Sequence, residues 1–160
     1  MQPCEIRIDF RGRSFATVKL EVGYDELEAT REPVELVASA EVADLFAGLG
    51  LQNPDPIAVL PIHQISQKIH ACTEPGSRRA HDLVDLQLVA DQIDGLRLIS
   101  HTTQRLFRFR QQHSWPPHVE PGEGWTQLYA AAAKGLDVLP DVDQATTWLN
   151  TNMTELVAAT

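Results

Sequence analysis

Residues 61–86, PIHQISQKIHACTEPGSRRAHDLVDL, decide how the rest of the chain is read. They predict two helices joined by a short polar turn. Pro61 suits a first helical position, where its missing N–H costs nothing. Ile62, Ile65, Ile69 and Cys72 recur at helical spacing and form one apolar stripe. Gln64, Lys68 and Ala71 fall on a neighbouring face, so Lys68 stands alone there among small or neutral groups. Glu74-Pro75-Gly76-Ser77 then breaks the helix. The second helix starts near Arg78 to His81, with Leu83, Leu86 and Val89 or Ala90 facing inward. Asp82 and Asp85 lie one turn apart on it.

A lysine on one helix and an Asp-x-x-Asp opening the next can point into one cleft. That arrangement can hold a phosphate and orient a nucleophile. A plainer account fits the same spacing. Acidic residues in a first turn are favoured by the helix dipole, and a lone helical lysine is usually solvated.

The segment KIHA, followed by Arg79-x-HDLVDLQL, resembles the closing motif of the AbiEii-type nucleotidyltransferase toxins of type IV toxin–antitoxin and abortive-infection systems. The family pattern is a helix bearing a lysine, a short turn, then Arg-x-x-Asp-hydrophobic-x-Asp-Leu. Lys68, Arg79, Asp82 and Asp85 fit it. The resemblance extends to FATVKLEV upstream and to the Phe-x-x-Arg, Trp-Pro-Pro and Trp pattern downstream. It implies transfer of a nucleotidyl group from an NTP to an acceptor such as tRNA, with Mg²⁺ between them. Lys68 would bind triphosphate and Arg79 would support it. Asp82 would be the acid or base near the acceptor hydroxyl, with Asp85 next in order. A cognate antitoxin is the implied protein partner. The polymerase-β-like members of this family also carry a Gly-Ser helix start and a metal-binding Asp-x-Asp. Neither precedes Lys68: Gly76-Ser77 follows it, and Asp9 stands alone in IRIDF. The expectation is therefore a chain that begins after that motif. Activity of this chain by itself then rests on carboxylates outside the motif. The alternative is an inactive family member serving as a binding module.

The chain has 160 residues and is 43% hydrophobic, enough for a sizeable core. Cys4 and Cys72 show no metal-ligand spacing, which fits free thiols in a reducing cytoplasm. The amino terminus alternates charged and apolar residues, unlike a signal peptide. No run approaches the roughly 18 apolar residues of a membrane helix. The net charge of −9 opposes non-specific nucleic-acid binding. A local basic cluster, or a nucleotide with its magnesium, would resolve that tension with an RNA acceptor.

Residues 5–22 predict a β-hairpin. Ile6, Ile8 and Phe10 alternate with charged residues, Gly12 marks the turn, and Val18, Leu20 and Val22 alternate with Thr17, Lys19 and Glu21. The apolar sets are expected to face a core, with Lys19 and Glu21 on the opposite face. By the resemblance Glu21 would be a metal carboxylate and Lys19 would lie near the nucleotide; a solvated Lys19/Glu21 pair fits the same pattern. The hairpin edge is expected to be paired, in a homodimer, or covered by a loop. Residues 23–33 read as a loop and residues 33–37 as a short strand. Ser39 caps a helix with Val42, Leu45, Phe46 and Leu49 inward. Residues 57–60 predict a buried strand.

Beyond Pro61 the chain reads as nearly all helix. Residues 96–110 predict a helix with Leu96, Ile99, Thr103, Leu106 and Phe107 inward. Its basic, aromatic end (Arg105, Phe107, Arg108, Phe109, Arg110, then His113 and Trp115) suits stacking on single-stranded nucleic acid. It equally suits a helix end complemented by arginine, with Phe and Trp in the core. Helices over 125–134 and 144–157 complete the chain, the last capped by Asp141 or Asp143. His63, His70 and His81 lack a tight zinc spacing. The expected fold is α+β: a sheet lobe over 1–60, then a helical part over 61–160 carrying the Lys/Asp motif.

Overall fold

The computed structural model describes residues 2–31, 35–37, 39–53, 57–90 and 95–159. The fold is α+β, as expected, and divides into two compact units, Met1–Arg31 and Glu32–Thr160. The boundary expected near residue 60 falls inside the second unit.

The first unit is the hairpin. Strands β1 (Gln2–Phe10) and β2 (Arg13–Val22) pair antiparallel. Arg11 and Gly12 join them, both at positive φ (51° and 74°). A two-residue turn of that hand matches the twist of the strands, and glycine meets its demand without strain. Cys4 faces Leu20, Ile6 faces Val18 and Ile8 faces Ala16, so the apolar sets share one face. Glu5 opposite Lys19 and Arg7 opposite Thr17 share the other. The pairing slips between Ile8 and Asp9, a bulge that sets Asp9 against Ser14.

The expected core behind this hairpin is corrected by the exposures. Ile6 (49%), Val18 (45%) and Leu20 (47%) each keep nearly half their surface open. Period-two alternation says which face is apolar; it does not say what covers it. Among the described residues neither strand pairs with a third. Glu26–Arg31, expected as loop, is short 3-10 structure in which Leu27 and Glu28 have positive φ.

In the second unit β3 (Glu35–Val37) pairs antiparallel with β4 (Ile57–Val59). Between them lies α1 (Ala40–Gly48), capped as expected by Ser39, whose hydroxyl accepts from the Val42 N–H. Its inward face is corrected too. Val42, Leu45 and Leu49 are exposed and only Ala43 and Phe46 are half-buried. The apolar stripe is real, but no described element lies over it.

The core belongs to five helices: α2 (Pro61–Thr73), α3 (His81–Ala90), α4 (Leu96–Arg110), α5 (Trp125–Ala133) and α6 (Val142–Ala158). Pro61 opens α2 at its first turn, as its chemistry dictates. Ile65, Ile69 and Cys72 of α2 pack with Leu83, Val84 and Leu86 of α3 and with Leu149, Met153 and Leu156 of α6. Each such side chain contributes about 1.5–3 kcal/mol by leaving water. Ile99, Leu106 and Phe107 of α4 are buried as expected, whereas Leu96 is 48% exposed. It sits in the helix's first turn, at the end of the core. The α2–α4 seam also carries buried hydroxyls: Ser66 donates to the Ile62 carbonyl, and Thr103 meets Ser66 at 3.0 Å. Asp141 caps α6, its carboxylate accepting from the Gln144 N–H at 2.8 Å. No helix among the described residues is long and apolar enough to cross a membrane.

Candidate functional site

The turn between α2 and α3 is held by hydrogen bonds that begin at Ser77, two residues before Arg79. The Ser77 hydroxyl donates to the Ala71 carbonyl at 2.6 Å and accepts from the Arg79 N–H at 3.1 Å. Gly76 takes positive φ (75°), which a β-carbon would strain. The Ser77 carbonyl accepts from the Trp125 indole N–H at 2.6 Å, tying the turn to α5. Gly122 lies against the same contact. A β-carbon there would stand 2.9 Å from the Trp125 indole nitrogen and 3.1 Å from the Ser77 oxygen.

This turn aims Arg79, Asp82 and Asp85 at Lys68. The Lys68 ammonium donates to Asp82 Oδ1 at 3.2 Å and to Asp85 Oδ2 at 2.5 Å. The Arg79 guanidinium donates to both Asp82 oxygens, from Nε at 2.8 Å and from Nη2 at 3.3 Å. His81 Nε2 lies 3.7 Å from Asp82 Oδ1. Lys68 is thus not alone on its face, as its helix neighbours suggested; its partners come from the next helix.

Burial separates the two carboxylates. Asp82 is fully buried, between an ammonium and a guanidinium that offset its desolvation. The Asp85 side chain is 42% exposed, and its second oxygen has no hydrogen bond among the described residues. Burial acts to lower the Lys68 pKa, but the ion pairs with Asp85 and Asp82 outweigh it and hold Lys68 above the ordinary lysine value. The hydrogen bonds to Asp82 likewise raise Arg79. Both cations therefore stay charged at neutral pH. Burial, with Asp82 nearby, pushes the Cys72 thiol well up, so this cysteine is not a nucleophile.

Lys68, Arg79, Asp82 and Asp85 are therefore gathered in one place. Lys19 and Glu21 lie on the hairpin, in the other unit, both exposed. Among the described residues no three His, Cys, Asp or Glu side chains are disposed to hold a metal ion. The donor set at Lys68 explains this locally. Both Asp82 oxygens face cations, and one oxygen of Asp85 does, so they do not fit Mg²⁺ as they stand. His63 and His70 are buried on α2, and His70 packs against Phe107 and His113 with ring centroids 4.8 and 4.6 Å apart.

Several supporting residues escape a reading by motif. Ser77 reads in sequence only as a misplaced Gly-Ser, although a serine hydroxyl that accepts from the backbone N–H two residues on is an ordinary turn device. His113 Nε2 and the Thr73 hydroxyl meet at 2.8 Å, joining the loop after α4 to the end of α2. Burial lowers the His113 pKa, which favours the neutral imidazole. Gln87 accepts from the Leu139 N–H and donates to the Tyr129 hydroxyl, while Asn150 bonds both backbone groups of Val119. No local pattern announces these long-range pairs.

No protein-family model matches this chain, and no curated protein sequence matches it.

Proposed function

We propose that this chain is a nucleotidyltransferase-like protein of the toxin–antitoxin kind, moving a nucleotidyl group from an NTP to an acceptor such as tRNA. The observation that carries the reading is the convergence of Lys68, Arg79, Asp82 and Asp85, each from its place in the motif, on one partly exposed cluster. The roles follow from burial. Asp82 is the permanent partner of both cations and acts as a positioning residue, although the sequence places it first as acid or base. Asp85 is the exchangeable one. An exposed ion pair contributes only about 0–1 kcal/mol, so a triphosphate can displace its carboxylate from Lys68. The ammonium then serves as a compact phosphate ligand. The released Asp85 is free to take the proton of an acceptor hydroxyl. That oxygen attacks the α-phosphorus, and pyrophosphate leaves. Magnesium would arrive with the triphosphate, as part of the substrate. The reading places the protein in the cytoplasm, with a cognate antitoxin as partner.

A second reading is a non-catalytic interaction module, favoured by the open apolar face of the hairpin. Labelled-NTP transfer by the purified chain, with Mg²⁺ and total tRNA, separates the two. Transfer that falls at least about a hundredfold in Lys68→Ala and in Asp85→Asn supports the enzyme, since loss of one transition-state donor or of a general base costs that much. No incorporation with any of the four nucleotides assigns the chain to the second reading.

A further inference from the structure

Helix α4 carries Arg97, Arg105, Arg108 and Arg110 and no acidic residue, in a chain whose net charge is −9. The acid-free stretch runs on from Gly95 to Val119. The helix buries Ile99, Ser100, Thr102, Thr103, Leu106 and Phe107, which fixes its opposite face. Along that face Arg97, His101, Gln104 and Arg108 recur every three or four residues, one per turn of about 5.4 Å. Arg97 and Arg108 are exposed and make no ion pair with any described residue; the Arg108 guanidinium donates only to the Gln104 side chain, at 3.4 Å. Beside this stripe lies Phe109, 59% exposed. A helix end complemented by arginine accounts for Arg108 and Arg110. It does not account for Arg97 in the first turn, where the dipole disfavours a cation.

We propose that the exposed face of α4 docks single-stranded RNA, the arginines spanning successive phosphates and Phe109 stacking on a base. Charge complementarity selects a polyanion, and an open aromatic ring beside arginines suits unpaired bases. A membrane surface fits less well, because Ile99, Leu106 and Phe107 are buried in the protein core, and the open Leu96, Leu98 and Phe109 do not form a continuous apolar face along α4. The choice of RNA over DNA rests on the acceptor reading above; the choice of a single strand does not. The surface also answers the bulk charge: in a chain of net charge −9, this helix offers four arginines and no carboxylate.

The test is fluorescence anisotropy of a labelled oligo-uridine at low and moderate salt. Binding is expected to weaken at least tenfold in the Arg97→Glu/Arg108→Glu double variant. Its log–log salt slope should become shallower by about 1.4, two phosphates' worth for a single strand. Phe109→Ala should weaken binding about tenfold by loss of stacking. Far-UV circular dichroism and melting temperature check that the variants, all exposed positions, stay folded. The two readings fail separately: no nucleotide transfer by the parent chain, with charge-dependent RNA binding intact, sinks the enzyme reading and leaves this one standing. The proposal is overturned by no binding, by binding indifferent to charge reversal, or by equal or tighter binding to oligo-thymidine or to phosphatidylserine vesicles.

Discussion

At the scale of single residues, the cluster turns on Asp82. Removing its charge takes the carboxylate from Arg79 and leaves Lys68 with Asp85 alone, beside a buried amide. Breaking a buried pair costs about 3–5 kcal/mol, and the partial exposure of both cations brings this to about 2–3 kcal/mol. Asp82→Asn should therefore lower unfolding free energy by that amount in urea denaturation, with an unchanged slope. Asp85→Asn, which touches one cation from an exposed position, should stay within about 1 kcal/mol of the parent. Equal effects at the two sites would contradict the division between a positioning carboxylate and an exchangeable one. The sequence carried the identity of these residues but not their difference. Asp82 and Asp85 sit one turn apart in similar local surroundings. What separates them is the position of Lys68, Arg79 and solvent around α3.

Among the elements, the α2–turn–α3 unit was the most legible. Pro61, Gly76 and the apolar spacing each act through their own backbone or the next turn, so α2 and α3 appear where periodicity puts them. The fastening of the turn was not legible, because it comes from α5. Trp125 donates its indole N–H to the Ser77 carbonyl. Trp125→Phe keeps most of the buried ring and removes that donor, leaving a carbonyl short of its partner at a cost of about 1–3 kcal/mol. The expected result is lower thermal stability and faster amide exchange at residues 77–82, ahead of the rest of the helical unit. Uniform destabilisation without that local opening would show that the indole matters only as bulk.

For the whole molecule, the open question is what covers the hairpin. A lone two-stranded hairpin is marginal in water, and this one carries an apolar face and, among the described residues, two unpaired edges. Homodimerisation through it is the expected outcome, visible as a concentration-dependent mass in sedimentation equilibrium. Ile6→Glu with Val18→Glu, directly opposed on the apolar face, should shift the equilibrium to monomer. A parent that stays monomeric up to about 100 μM, with its dimer therefore weaker than about −5.5 kcal/mol, would rule this out.

By itself, the sequence determined what acts over one or two turns or across one strand pair. That includes the α+β class, the helix start at Pro61, a last helix capped by Asp141 or Asp143, the hairpin with its Gly12 turn, and the placing of Lys68 on one helix with Arg79, Asp82 and Asp85 at and after the start of the next. These follow from backbone sterics, capping and periodicity, which depend on near neighbours alone. Only the tertiary structure decided which apolar faces are covered. The stripes of α2 to α6 are, while among the described residues those of α1 and the hairpin keep much of their surface exposed. It also decided that Lys68 meets two carboxylates, and that Arg97 and Arg108 face outward without acidic partners among the described residues. Burial and charge pairing depend on what the rest of the chain brings alongside, and a local pattern carries no record of that.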